Sequence, residues 1–236
     1  MKPGTLYLIP TPLGDQEHNT TIPEFNIQVI HNLDIFVVEE LRTARRFLRK
    51  YGYKKDFDTV TFFTLNEHTP LMEIAEYLSP LLQGKSMGLL SEAGCPAVAD
   101  PGSELVYQAQ IKDIKVVPLT GPSSILLSLM ASGLIGQQFT FHGYLPVKAP
   151  DRIQKIKEID RSLTKSGHHT HIFIEAPYRN QHIIETLLLH CREEVNLCIA
   201  SNITMPDESI KTKRIRDWKR IKPNPGKVPT VFLISI

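Results

Sequence analysis

Short β-rich runs alternate with amphipathic helical stretches along almost all of this 236-residue sequence, and that alternation narrows the possible folds more than any other feature. Residues 5–10, 35–39, 60–65, 86–91 and 114–119 read as strands in the first half, and 138–142, 170–175, 195–200 and 228–236 in the second. Between them the spacing predicts helices over 23–32, 43–51, 70–82, 102–112, 122–133, 152–165 and 178–191. The pattern predicts an α/β protein with layers around largely parallel sheets. Ser132-Gly133-Leu134-Ile135-Gly136-Gln137-Gln138 breaks the rhythm with two glycines and no strong periodicity, so a domain boundary is expected there. Two α/β domains follow, residues 1–135 and 136–236.

Composition excludes several classes. Hydrophobic residues make up 42% and charged residues 22%, ordinary values for a globular chain. No apolar run reaches the roughly 18–20 residues of a membrane helix, and the apolar stretch after Met1 is too short for a signal peptide. A cytoplasmic protein without a membrane partner is therefore expected. The three cysteines, Cys95, Cys191 and Cys198, have no paired spacing, which argues against a disulfide framework or a CxxC zinc site. Charge is uneven: residues 1–138 carry 11 Lys/Arg against 15 Asp/Glu, and residues 139–236 carry 16 against 10. The basic second half permits an anionic partner or reflects ordinary surface variation. Within it, residues 211–222 hold seven basic residues and one acid. Ile215, Trp218 and Ile221 are spaced for a helix face, although a hairpin return is also open. This stretch could track phosphates or form a solvated face.

Generic nucleotide signatures are missing. No two glycines are separated by one residue, so GxGxxG cannot occur, and Gly84-Lys85 and Gly226-Lys227 lack the upstream glycine of a P-loop. HExxH and GxSxG are absent. His168, His169 and His171 are read as packing or solvated histidines rather than metal ligands, and no metal is expected.

Three loops rich in small residues follow expected strands. They are Pro10-Thr11-Pro12-Leu13-Gly14-Asp15, then Ser91-Glu92-Ala93-Gly94-Cys95-Pro96 running on to Ala99-Asp100-Pro101-Gly102, and Leu119-Thr120-Gly121-Pro122-Ser123-Ser124. In open parallel sheets ligands bind beyond the carboxyl ends of strands, so all three fall on one edge. Gly and Pro let the backbone approach a ligand closely and hold it rigidly. Asp100-Pro101-Gly102 is read as a helix N-cap with proline at the first helical position.

These loops resemble the tetrapyrrole methylase superfamily of S-adenosylmethionine-dependent methyltransferases. Within it they are most similar to the branch that methylates a ribose 2′-hydroxyl of small-subunit ribosomal RNA. The resemblance continues in order through Glu39-Glu40-Leu41-Arg42, Asn66-Glu67-His68, Ser132-Gly133-Leu134, Phe141-His142-Gly143-Tyr144-Leu145-Pro146 and Glu175-Ala176-Pro177-Tyr178-Arg179. The branch usually has Asp at Glu40, Thr at Leu41, His at Asn66, Asp at Glu92, Thr at Cys95 and Pro at Thr120. It also commonly runs past the last strand into a small helical extension, whereas this sequence ends at Ile236.

The resemblance implies two α/β domains with the cofactor cleft between them, and a homodimer. It implies S-adenosylmethionine as cofactor, held by Pro12, Leu13, Gly94, Cys95, Val98, Ser123 and Ser124 from the first domain. Ala176, Ala200, Pro229 and Thr230 would contribute from the second. Arg42, Arg152 and Arg179, in family motifs, and Lys148 beside one are candidate contacts to substrate phosphate. A hydroxyl acceptor must lose its proton, so a carboxylate in reach can serve as base. Glu39, Glu67 and Asp100 are the chosen candidates, and Cys95 is read as a packing thiol. The competing readings are a methyltransferase acting on a tetrapyrrole-like or other small molecule, and a relative that binds cofactor or RNA without turnover.

Overall fold

The computed structural model describes residues 2–15, 21–66, 68–166 and 168–236. The chain forms two compact units, Met1–Ser123 and Ser124–Ile236.

The first unit contains β1 (Thr5–Ile9), α1 (Glu24–His31), β2 (Ile35–Val38), α2 (Leu41–Lys50), β3 (Thr61–Thr64), α3 (Leu71–Tyr77), α4 (Ser79–Leu82), β4 (Met87–Leu90), α5 (Ser103–Ile111) and β5 (Lys115–Pro118). Its sheet has the order β3-β2-β4-β1-β5, and every neighbouring pair is parallel. Every residue of β2 and β4 is buried, as their unbroken apolar runs require of strands covered on both faces. Connections running toward β3 carry α1 and α2, whose Ile30, Ala44 and Leu48 enter one core cluster with Phe36 and Val38. Those running toward β5 carry α3, α4 and α5, whose Ile74, Leu81 and Leu105 enter another with Leu6 and Leu89. Right-handed crossovers produce this division when the direction of winding reverses. The reversal falls at the neighbours β1 and β4, where an open α/β sheet forms its ligand crevice. The helix expected over 70–82 is broken in two, because Pro80 has no N–H to continue the ladder and opens α4 instead.

The second unit contains α6 (Ser124–Ser132), β6 (Phe139–Tyr144), α7 (Ala149–Ser166), β7 (Thr170–Glu175), α8 (Asn180–His190), β8 (Asn196–Ser201), β9 (Ser209–Arg214), α9 (Ile215–Ile221) and β10 (Thr230–Ser235). Its sheet has the order β6-β7-β10-β8-β9. Only β6 and β7 run parallel; β10 is antiparallel to both β7 and β8, and β8 to β9. The expectation of largely parallel sheets therefore holds for the first unit and fails for the second. The core gathers Ile156 and Leu163 of α7, Phe173, Ile184, Trp218 and Phe232.

One further expectation is corrected. The boundary expected at residue 135 falls at Ser123/Ser124, because α6 packs on β8, β9 and β10. The Thr212 hydroxyl donates to the Ser132 carbonyl at 2.6 Å and fixes the end of that helix. The helix-face spacing of Ile215, Trp218 and Ile221 is borne out by α9, and the basic residues before it belong to the end of an edge strand. Lys211 and Lys213 alternate outward on β9, and only from Ile215 does the spacing become helical. Trp218 anchors α9, its Nε1 donating to the Leu197 carbonyl at 2.8 Å. No helix among the described residues is long and apolar enough to cross a membrane.

Candidate functional site

In the first unit the loops after β1 and β4 are stitched together. Thr11 and Gly94 exchange both backbone hydrogen bonds, each at 3.0 Å. Beneath them the buried Ser91 hydroxyl donates to the Gly94 carbonyl at 2.6 Å, and the Thr11 hydroxyl to the Ser91 carbonyl at 3.2 Å. Neither Thr11 nor Ser91 was singled out from the sequence for this role, since a hydroxyl before a turn carries no distinctive signal.

Glycine is required where these loops approach one another. A Cβ at Gly121 would lie 2.3 Å from Cβ of Pro10, and one at Gly94, where φ is +79°, would lie 3.1 Å from Leu13 Cδ2. The loop after β5 thus sits directly on the loop after β1. Cys95 reaches across as well, its Sγ donating to the Pro122 carbonyl at 3.5 Å. Burial and the Asp100 charge push its thiol up, as befits a packing group rather than a nucleophile. Ala97 and Ala99 hold φ of 63° and 62°, a left-handed conformation that non-glycine residues keep only where their surroundings over-determine it. Pro12, Leu13, Gly94, Cys95, Val98 and Ser123 therefore lie on three adjoining loops at the carboxyl edge of one sheet, and Ser124 opens α6. A pocket of about 320 Å³ opens beside the β1 and β4 loops and is closed by Thr43, Arg46, Phe47 and Lys50 of α2.

Carboxylates gather at the same edge. Burial, then the charges of Glu39 and Glu92, push the Asp100 carboxyl up to about 6. Asp100 Oδ2 is buried and has no hydrogen-bond partner among the described residues. The N-cap expected of Asp100 is not formed. Gly102, at φ +128° and tight against Leu89, turns the chain so that α5 starts at Ser103. Glu39 follows β2 and is half-buried, and Glu40 beside it caps α2, accepting from the Thr43 N–H at 2.8 Å. The Thr43 hydroxyl lies 2.7 Å from Glu92 Oε1 and links α2 to the β4 loop, a tie the sequence did not signal. Glu67 lies outside the described residues. Arg42 is exposed on the first turn of α2.

The second unit collects its own candidates at one end of its sheet. Thr230 begins β10 and is paired with Glu175 at the end of β7 and Ser201 at the end of β8. Ala176 follows β7, Pro229 precedes β10, and Ala200 sits one step inside the sheet opposite Val231. Asn180, not foreseen from the sequence, fixes this end. Its Nδ2 donates to the carbonyl of Val228 at 2.8 Å, to that of Gly226 at 3.0 Å and to Thr230 Oγ1 at 3.1 Å.

The three basic residues proposed for substrate phosphate in this unit separate. Lys148 is exposed. Arg179 is buried in an ion pair with Glu175 and also donates to the Leu145 carbonyl at 3.4 Å. Arg152 is buried and donates to the Val147 carbonyl at 2.8 Å.

The histidines form a packed group. His142 Nε2 lies 2.9 Å from His171 Nδ1, and His171 Nε2 lies 3.0 Å from the Ser162 hydroxyl. Burial, reinforced by the His142, His169 and Lys155 charges, pushes His171 down to about 4. His169 turns instead to the Thr140 hydroxyl at 2.8 Å. Among the described residues no three His, Cys, Asp or Glu converge as a metal site.

Comparison with known proteins places this architecture. The sequence is 31% identical over 238 residues to the ribosomal RNA small subunit methyltransferase I of Haemophilus influenzae, covering 98% of this chain and 78% of that protein. Its fold is similar to a crystal structure of diphthine synthase, with a TM-score of 0.65 at 18% identity, covering 98% of this chain and 90% of that one. It is also similar to a uroporphyrin-III C-methyl transferase from Thermus thermophilus solved with S-adenosyl homocysteine. That match has a TM-score of 0.58 at 16% identity, over 98% of this chain and 97% of that one. The model of the tetrapyrrole (corrin/porphyrin) methylases matches residues 5–218, and the chain belongs to that family.

Proposed function

We propose that this protein is an S-adenosylmethionine-dependent methyltransferase whose acceptor is a ribose 2′-hydroxyl of small-subunit ribosomal RNA. The reading includes a homodimer and a cytoplasmic location, where that RNA is found. Asp100 carries the proposal: a carboxylate with one buried oxygen that has no hydrogen-bond partner among the described residues, pushed up to about 6 by burial and by Glu39 and Glu92 at the edge where three loops converge. A hydroxyl acceptor needs such a base, and one poised near 6 is ionised at neutral pH yet still takes up a proton readily. The 31% identity to a named ribosomal RNA methyltransferase over nearly the whole chain supports the acceptor class.

The residues present suit the cofactor. Gly94 and Gly121 let the loops after β1, β4 and β5 pack directly on one another, and the Thr11–Gly94 bridge holds that crossing rigid, so main-chain groups are fixed for a ligand at this edge. Pro12, Leu13, Gly94, Cys95, Val98 and Ser123 would hold it in the first unit. When bound, S-adenosylmethionine supplies a methyl group on a sulfonium. The chain has to align the acceptor oxygen with that group, exclude water and remove one proton. Asp100 takes the proton, its carboxyl kept basic first by burial and then by the like charges of Glu39 and Glu92. Arg42 and Lys148, both exposed, are placed to meet phosphate.

The test is transfer of radiolabelled methyl from S-adenosylmethionine to small ribosomal subunits lacking the modification, with nuclease mapping of the labelled nucleotide. Label on a ribose 2′-oxygen is expected. Sedimentation of the same preparation tests the homodimer. Cofactor binding with no label on the RNA would overturn the acceptor.

A further inference from the structure

Two buried arginines serve one short loop of the second unit. Arg152 and Arg179 are each only 9% exposed. Both direct their guanidinium groups at main-chain carbonyls of the segment that follows β6. Arg179 takes Leu145, and Arg152 takes Val147 at 2.8 Å and Pro146 at 3.5 Å. Glu175 at the end of β7 neutralises Arg179, while the Nε atoms of both arginines are buried without a hydrogen-bond partner among the described residues. Burying two guanidinium groups is costly, and hydrophobic residues would fill the same space more cheaply. What the arrangement does achieve is rigidity in a loop with little apolar anchoring beyond Leu145.

That loop and the adjoining turn carry an exposed aromatic surface. Tyr144 is 60% exposed, Val147 73% and Tyr178 69%. Tyr144 ends β6 opposite Ile174 of β7, and Tyr178 lies in the single turn Pro177–Arg179 just beyond β7. Because β6 and β7 are parallel, both tyrosines stand at the same end of the sheet. Lys148 follows directly, and the residues of this unit carry 16 Lys/Arg against 10 Asp/Glu.

We propose that Tyr144 and Tyr178 form a base-stacking platform for unpaired nucleotides of the RNA substrate, with Arg152 and Arg179 as positioning residues that hold it rigid. The inference rests on the reading of the chain as an RNA methyltransferase. Sequence-specific RNA recognition targets unpaired nucleotides, whose splayed bases have lost stacking partners and stack on aromatic side chains. Exposed aromatic rings on a fixed loop replace that stacking, and an adjacent lysine meets the phosphate between them. The positive balance of this unit matches an RNA strand.

The experiment compares steady-state methylation of small ribosomal subunits by the full-length protein and by Tyr144→Ala, Tyr178→Ala, Tyr144→Phe and Tyr178→Phe. Loss of one stacked base corresponds to about a 5- to 150-fold weaker interaction. Each alanine variant is expected to raise KM for the subunits about tenfold or more while S-adenosylmethionine binding is unchanged, and each phenylalanine variant to restore it. Arg152→Lys, which keeps the charge and loses the planar fork, is expected to raise the same KM. Alanine variants with unaltered KM would overturn the platform while leaving the methyltransferase reading intact. A wild-type protein inactive on RNA would overturn both. Sedimentation distinguishes a second occupant: if the alanine variants lose a dimer that the wild type forms, the surface belongs to the copy–copy interface and the proposal fails.

Discussion

Asp100 is pulled two ways, and stability and activity should respond in opposite directions when it is changed. Its carboxyl is pushed up to about 6 by burial and by Glu39 and Glu92. The folded state therefore holds a proton that the unfolded chain, titrating near 3.9, has already released. Such a group favours the fold below the unfolded value, and the benefit is lost as pH rises through about 6. At neutral pH the ionised carboxylate opposes folding by about 1 kcal/mol once solvent screening is allowed for. Asp100→Asn removes that charge without changing the shape. It is expected to raise the melting temperature at pH 7 and leave it unchanged near pH 4. If Asp100 is the base, the same variant lowers methyl transfer about 10²- to 10⁴-fold. Wild-type transfer should climb as pH passes through about 6, and the variant should lose that dependence. A melting temperature that falls at pH 7 would mean the carboxylate is held by a partner and is not poised as described.

At the level of elements, the β9 edge shows where local reading of the sequence succeeds and where it stops. Unbroken apolar runs revealed β2 and β4, because a strand covered on both faces has no polar side to show. The three loops after β1, β4 and β5 were legible because glycine and proline mark close approach, and the structure brings them together. The left-handed alanines Ala97 and Ala99 were not, since nothing in an alanine announces its φ. Nor was the antiparallel insertion of β10 between β7 and β8, which depends on partners far along the chain. Over 211–222 a period of two passes into a period of 3.6 within a few residues; the spacing of Ile215, Trp218 and Ile221 showed the helix, while nothing in the charge content showed the strand before it. Seen as an edge strand, the same lysines have a reason. Lys211 and Lys213 stand exposed on β9, which pairs only with β8. Charged side chains on an open edge discourage pairing with another chain. Replacing both with valine should leave the melting temperature nearly unchanged and cause concentration-dependent association, measurable by light scattering. A double variant that stays as dispersed as the wild type would show that the edge is protected by something else.

For the whole molecule, the two units are built around separate cores and should answer acid in opposite senses. The first unit holds Asp100, whose raised value makes that unit gain stability as pH falls from 7 toward 4. The second holds the histidine group. Burial pushes His142 down and His171 down to about 4, with the charges of Lys155 and His169 facing both and adding to the shift. These imidazoles stay neutral in the fold while the unfolded chain takes up protons from about pH 6.5 downward. Stability of the second unit is therefore intact above about 6.5 and is lost progressively as pH falls toward 4. For His171 alone the loss is about 2 kcal/mol, a substantial part of what holds a domain of this size together. The sequence has a single tryptophan, and Trp218 is buried in the core of the second unit, so indole fluorescence reports that unit alone. Denaturant titrations followed by fluorescence should show the midpoint falling between pH 7 and 5. Amide exchange along β1 and β4 should stay protected over the same range. His171→Gln cannot take up the proton and should flatten the fluorescence dependence, while leaving exchange in the first unit untouched. A fluorescence midpoint independent of pH, or one that moves in step with exchange in β1 and β4, would mean that the two units unfold as one and that the histidine group does not set the acid limit.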